Sequence, residues 1–482
     1  MSQSLKDKTV NGVLWSSVER FSTQGIQFIF SILIARLLAP SDYGVVAMLG
    51  IFLGVSQAFI DSGFSSAIIR KKDRTDVDMS TVYYFNIAVA IFFYLALWFA
   101  SPYIAAFYDI PLLETITKVV SSTLVISAFA GIHGAQLSIN INFKTRAKIS
   151  IACVCSTGIV GLLMAYKGYG VWALVVQSVV GSLLNTILLW YFVRWKPLLV
   201  FSMKSFKDMF SFGSRMLASG LLDTLYNNVY TIVIGKVFSP TILGLYGKAN
   251  SLASFPSSNL TGVLQSVTFP VLCKIQDQDE RLKAAYRQMI RISAFVIFPL
   301  MVGLAAVAEP FIRIVFTDKW EGAIILLQIV CFAMMWYPIH AINLNILIVK
   351  GRSDFFLRLE IVKKILGVLI LCATLPFGIV VMCYGRIAGS LTALVVNTYY
   401  TRKTIDYGIF SQIKDLSHII LHSLVMGVLA WGTVQLMPTM WLKLLGGVVV
   451  GGAYYLLGAY MLRFSEFEIL LNIVKSKLWK RH

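Results

Sequence analysis

Fourteen largely apolar runs follow one another along the chain, at roughly 10–37, 43–69, 79–101, 117–140, 149–167, 171–193, 210–238, 243–272, 289–308, 322–349, 359–377, 381–400, 417–436 and 441–462. A helix needs about 20 apolar residues to cross the hydrocarbon core of a bilayer, so each run suffices for one pass. In lipid every backbone polar group must be satisfied internally, which leaves helices or closed barrels. Barrel strands give short alternating patterns rather than long runs. Composition agrees: 57% of residues are apolar and 13% charged, with mean hydropathy +0.76, whereas soluble domains are about 25% charged. A soluble enzyme, a disordered chain and a disulfide scaffold are thereby excluded. The expectation is an all-α integral membrane protein of about 14 transmembrane helices. The short connections leave no room for an extramembrane domain, and the polar start Met1–Val10 gives no cleavable signal peptide.

A net charge of +19 invites a nucleic-acid reading, but the distribution argues against one. With the N-terminus inside, 31 of the 42 Lys and Arg residues fall on the cytoplasmic side and five outside (Lys118, Lys167, Arg313, Lys319 and Lys443). This is the positive-inside bias, and it predicts both termini in the cytoplasm. The basic excess is then a topology signal and an attraction for anionic headgroups, with no nucleic-acid partner. Cys153 and Cys155 lack metal-site spacing. His418 and His422, one turn apart, have no carboxylate on the same turn, so no metal or cofactor is expected.

An internal repeat organises the runs. IARLLAPSDYG (34–44) aligns with IGKVFSPTILG (234–244) at an offset of 200: Ile34 meets Ile234, Arg36 Lys236, Pro40 Pro240, and Gly44 Gly244. The offset spans six helices, an even number, so the two copies share one orientation. This predicts two parallel six-helix lobes, 1–200 and 201–400, related by an axis along the membrane normal. Residues 401–482 add two further helices and a basic cytoplasmic tail.

Polar residues inside a span normally face the bundle interior or a cavity. In the first helix Ser16, Arg20, Gln24, Gln27 and Ser31 share one face. In the seventh Arg215, Ser219, Asp223, Asn227 and Thr231 do the same. The second carries Gln57, Asp61 and Ser65. The eighth carries Asn250, Ser254, Ser257, Thr261, Gln265 and Thr268. Four such stripes facing one another would enclose a hydrophilic cavity. Isolated Ser and Thr are also common packing glue between helices. Charges are another matter, costing at least ~2.5–3.5 kcal/mol at mid-bilayer: Glu19, Arg20 and Asp223 lie near the middle of their runs, and Asp61 somewhat inward. Arg36, Lys236, Lys248 and Arg386 lie nearer helix ends, and Arg215 near the inner end, where snorkelling to the interface is the alternative.

The segment SVERFSTQGIQFIFSILIARLLAPSDYG, followed by FIDSGFSSAIIRKKD, resembles the opening of polysaccharide exporters of the MOP flippase superfamily. GRSDFFLRLEIVKK (351–364) resembles an inner loop of the colanic-acid and teichuronic-acid exporter branch. The resemblance implies a flippase or exporter moving undecaprenyl-diphosphate-linked oligosaccharide from the inner to the outer leaflet of a bacterial cytoplasmic membrane. It implies a cavity lined by helices 1, 2, 7 and 8, with the cation serving the diphosphate falling on Arg20. Gln24, Gln27, Arg215, Asn227, Lys248 and Asn250 join Arg20 as candidate substrate contacts. Asp223, then Asp61, then Glu19, are the candidates for coupling to H⁺ or Na⁺, because membrane carboxylates serve as proton relays. Partners would be lipid-linked oligosaccharide, membrane lipids and a polysaccharide polymerase. A multidrug or cation antiporter of the same fold is the alternative, and it calls for a cavity dominated by carboxylates and aromatics. A membrane glycosyltransferase or O-antigen polymerase needs a sizeable outer loop. The outer loops here, 102–116 and 309–321, are short and lack clustered carboxylates. With neither a P-loop nor a Ser-His-Asp set, a transporter rather than an enzyme is expected. Two lobes around one cavity suggest alternating access by rocking, with Ser56 and Ser257 expected to line the moving faces.

Overall fold

A computed structural model describes residues 5–61, 64–71 and 73–479, with some side chains inside helices left out. Every regular element among them is helical. The first six runs become α1 (Leu5–Leu37), α2 (Pro40–Met48), α3 (Gly50–Asp61), α4 (Phe64–Arg70), α5 (Asp76–Tyr108), α6 (Leu112–Ala128), α7 (Gly131–Ile139), α8 (Phe143–Tyr166) and α9 (Val171–Phe192). Then come α10 (Met203–Val237), α11 (Pro240–Lys274), α12 (Asp279–Ala306), α13 (Ala308–Phe316), α14 (Ala323–Met334), α15 (Tyr337–Val349) and α16 (Ser353–Thr374). The chain closes with α17 (Ile379–Ile405), α18 (Ile409–Leu436), α19 (Met440–Met461) and α20 (Ser465–Trp479). Nine helices among the described residues are long and apolar enough to cross a membrane, or ten with the bent pair α6–α7. The long helices α1, α10, α11 and α16 fall outside that set. Three of them are polar-striped, and α16 carries Arg358, Glu360, Lys363 and Lys364.

Three of the fourteen runs are not single helices. The second is divided at Leu49, between α2 and α3. The fourth bends by 42° between α6 and α7, and the tenth breaks at Met335–Trp336, where Pro338 sits in the first turn of α15. The fourth run of each repeat copy therefore breaks at a similar place. Elsewhere polar side chains set the ends. Thr75 Oγ1 accepts from the Asp78 amide at 3.2 Å while Asp78 accepts from the Thr75 amide at 2.9 Å, a reciprocal cap for α5. Asp109 closes that helix in the left-handed conformation, φ 57°.

The chain forms two compact units, Met1–Gly244 and Leu245–His482. In the first, α1 packs along α8, and α10 packs on α3, α4 and α5. The approach of α1 to α8 rests on glycine: a Cβ on Gly158 would lie 2.2 Å from the Phe30 ring. The connection into α10 is strapped to α5. Trp195 Nε1 donates to Asp76 at 3.0 Å, the Leu198 amide to Ser80 Oγ at 2.9 Å, and the Ser202 amide to Thr81 Oγ1 at 3.0 Å. Beneath it Phe64, Ile68, Val82, Tyr83, Ile132 and Met209 form a buried cluster. The two halves of the 200-residue repeat meet inside this unit. A Cβ on Gly44 would fall 1.8 Å from the Pro240 carbonyl oxygen, and one on Gly244 would fall 1.8 Å from that of Pro40. The conserved spacing of Pro and Gly in the two copies is thus a reciprocal contact of two helix starts.

In the second unit α12 packs against α14, α15 and α18, and α18 against α19. Buried Tyr286, Asn343 and Gln412 bond to one another across α12, α15 and α18. The terminal helix α20 is held by Glu466, 1% exposed, which pairs with Arg291 of α12 and lies 3.7 Å from His418. His422 is buried and meets the Tyr455 carbonyl at 3.1 Å. The two histidines serve packing and a latch, and no metal-holding cluster occurs among the described residues.

Candidate functional site: the polar helix faces

On α1 the packing face and the polar stripe are distinct. Phe30 and Ile34 lie against Gly158 and Gly161 of the α8 face. Glu19 belongs to this side: its Oε1 accepts from Ser150 Oγ at 2.7 Å and lies 3.4 Å from Arg146 Nε, with the side chain 17% exposed. One residue on, about 100° around the helix, Arg20 is exposed. Among the described residues its guanidinium makes no ion pair. No bridge from Arg20 to Asp61 or Asp223 occurs among the described residues. Gln27 is exposed further along the stripe, and the Gln24 Oε1 is buried without a hydrogen-bond partner among the described groups. The stripe thus offers a free cation and an unsatisfied acceptor on one face. Glu19, grouped with the coupling carboxylates from sequence, is committed instead to the α1–α8 seam.

Facing α10, α3 uses small residues. A Cβ on Gly54 would lie 3.1 Å from Thr224 Cγ2, and one on Gly50 would lie 3.7 Å from Asn228 Oδ1. Gly50 and Gly54, one turn apart, let the helices close. Asn228 turns its amide onto the Thr224 carbonyl at 2.9 Å. This leaves Asp223 and Asn227, one position back and one turn apart, on the exposed edge of α10. Asp61 of α3 accepts from Gln57 Nε2 at 3.1 Å. The Arg215 side chain lies outside the described residues.

The second unit separates the two candidates on α11. Asn250 Oδ1 accepts from Arg386 Nη1 at 2.7 Å, and the same nitrogen donates to the Tyr246 hydroxyl at 2.6 Å. Lys248, two residues from each and so about 200° around the helix, points the other way. It is 8% exposed, with its Nζ 5.1 Å and 5.3 Å from the ring centroids of Phe316 and Trp320. Lys248 is buried, and these aromatic faces stabilise its charge. Arg386 likewise reaches inward to α11 rather than outward. Sequence reasoning missed Arg386 as a site residue, although Tyr246 and Asn250, four apart, mark the face it meets.

The Ser and Thr part of the α11 stripe is glue. Ser257 is fully buried and donates to the Met334 carbonyl at 2.7 Å, and Thr261 turns back to the Ser257 carbonyl at 2.7 Å. Ser56 is 2% exposed and bonds to the Phe52 carbonyl. Neither serine lines an open face, which corrects the expectation for both. Their small hydroxyls are satisfied more cheaply by a neighbouring carbonyl than by solvent.

The fold built from these helices is that of the MOP-type membrane transporters. A lipid II flippase in an inward closed conformation matches with a TM-score of 0.77 at 15% identity, covering 94% of this chain and 99% of that one. An inward-facing multidrug resistance MATE transporter matches with a TM-score of 0.63 at 15% identity, covering 81% and 98%. The family model described as "Polysaccharide biosynthesis protein" matches residues 33–325, and the chain belongs to that family. The teichuronic acid biosynthesis protein TuaB of Bacillus subtilis is 25% identical over 433 residues, 89% of each chain. The lipopolysaccharide biosynthesis protein WzxC of Escherichia coli is 24% identical over 401 residues, 82% of this chain and 80% of that one. The chain is a multi-pass helical membrane protein of this family.

Proposed function

We propose that this protein flips undecaprenyl-diphosphate-linked oligosaccharide, the repeat unit of a surface polysaccharide, from the cytoplasmic to the outer leaflet by alternating access. The observation that carries the reading is Arg20: a guanidinium on the exposed polar face of α1, with no carboxylate partner among the described residues. A diphosphate needs a cation where water is scarce, and guanidinium presents several donors to phosphate oxygens. Gln24 and Gln27 on the same face supply amide donors and acceptors suited to sugar hydroxyls. The family and its relatives, named for polysaccharide biosynthesis, support the substrate class. The antiporter reading is disfavoured on α1, where the carboxylate is turned into the α8 seam.

With no nucleotide motif in the sequence, an ion gradient is the natural driving force. Asp223, with Asn227 one turn away on the exposed edge of α10, is the group placed to exchange H⁺ or ligate Na⁺. Both termini face the cytoplasm in this reading. The test is flipping of a fluorescent polyprenyl-diphosphate oligosaccharide in vesicles, with and without imposed proton or sodium gradients. Wild type should flip the lipid and respond to one gradient. Asp223→Asn should flip downhill without responding. No flipping by folded wild type overturns the substrate assignment, and indifference of wild type to both gradients overturns the coupling.

A further inference from the structure

Away from these polar faces, the second unit holds an open cavity of about 670 Å³ where α17 ends and α18 begins. Its walls carry four cations: Lys283 and Arg287 of α12, Arg402 of α17 and Lys414 of α18. Two carboxylates answer them. Asp415 takes both prongs of Arg287, at 2.7 and 2.8 Å, and Asp406 lies 3.7 Å from Lys283. Arg402 and Lys414 are exposed and form no ion pair among the described residues. The cavity is therefore cationic by two charges. The floor adds to it: Gly408 to Ser411 form the first turn of α18, which no side chain caps. The amides of such a turn and the positive end of the helix dipole favour an anion.

One wall of the same cavity is apolar. Val395, Tyr399 and Phe410 line it, 53%, 55% and 87% exposed. Leu391, Val395 and Tyr399 recur every four residues along α17, so an exposed apolar track one helix face wide runs up from the cationic end. A charged head pocket joined to an apolar track is the shape of a lipid.

We propose that this cavity seats the phosphate of an anionic phospholipid of the cytoplasmic leaflet, with Arg402 and Lys414 against the phosphate and an acyl chain along the α17 track. The site is separate from the polar helix faces assigned to the transported substrate. It rests on the cytoplasmic orientation of the α17–α18 connection, where Arg402, Lys403 and Lys414 cluster. A zwitterionic lipid carries the same phosphate with a compensating cation that the four basic side chains repel, so the pocket discriminates by headgroup charge.

The test uses the purified full-length protein in mild detergent, with lipid retention read by native mass spectrometry. Wild type should retain dioleoyl phosphatidylglycerol in preference to dioleoyl phosphatidylcholine. Arg402→Ala/Lys414→Ala should weaken phosphatidylglycerol binding by roughly 10- to 30-fold, and Arg402→Lys/Lys414→Arg should keep it. Melting temperature without lipid checks folding; if the alanine pair fails to fold, Lys414→Glu on the exposed rim carries the same comparison. Unchanged phosphatidylglycerol binding in the charge-removed protein overturns the proposal, as does equal retention of phosphatidylcholine. Displacement of the lipid by millimolar inorganic phosphate would assign the pocket to a soluble phosphate and overturn the lipid assignment.

Discussion

Gly44→Ala and Gly244→Ala put a single methyl group where the two repeat copies touch. In each case the new Cβ would lie 1.8 Å from a backbone carbonyl oxygen, whereas ordinary contact begins at 3.4 Å. The helix starts must part by about 1.6 Å, because a carbonyl held in a helix cannot rotate aside as a side chain does. Overpacking of this kind costs about 1–3 kcal/mol. Alanine also gains roughly 0.5–1 kcal/mol over glycine within a helix. An approach this close takes the upper part of the overpacking range, about 2–3 kcal/mol, so the net loss for each variant is about 1–2.5 kcal/mol. Gly134→Ala in α7 is the internal standard: nothing lies within 4 Å of its Cβ, so only the gain remains and the variant should be as stable as wild type or more so. The double variant at Gly44 and Gly244 should cost less than the sum of the singles, since one parting makes room for both methyls. Melting in detergent, followed by the folded peak on size exclusion after heating, gives all four values. Single variants that melt within about 1 °C of wild type would refute the reasoning, as would strict additivity in the double.

Arg20→Ala should abolish flipping at normal protein levels while leaving melting unchanged, since the guanidinium holds nothing within the described fold; Arg20→Glu should do the same, and flipping retained by either variant would remove Arg20 from the substrate site. Ser257→Ala should lower stability by about 1 kcal/mol, the worth of its hydrogen bond to Met334, and leave flipping intact, which separates glue from site on α11. Glu466→Ala should cost about 2 kcal/mol, less than a fully buried pair because Arg291 is partly exposed, and limited proteolysis should then release α20 first.

The positions of the spans were legible because apolar length dominates the signal, and each of the fourteen runs holds a helix or a broken set of helices. The breaks were not. Phe129–Ala130 and Met335–Trp336 sit inside apolar runs long enough for one pass, and although Gly131 and Pro338 follow them, a Gly or Pro within a run marks a kink as readily as a break. The stripe on α1 was legible from its spacing, yet the partner of Glu19 was not, because Arg146 is 127 residues away in the chain. Nor could spacing separate Ser257, which satisfies itself on Met334, from Gln27, which is exposed. Lys248 and Asn250 were read together because both are polar, although two residues place them on opposite sides of one helix. The contact of Gly44 with Pro240 was half visible: the repeat marked the residues, and only the packing gave their meaning.

The latch on α20 bears on how the protein is made. Ser465 and Glu466 are translated well after α12, and they complete a site on Arg291, 174 positions before Ser465. Until they emerge, the Arg291 guanidinium lacks the Glu466 carboxylate that it meets in the fold. A polypeptide cut short after α19 lacks this closure. The pairing therefore ties the settling of α12 to the arrival of α20 from the ribosome.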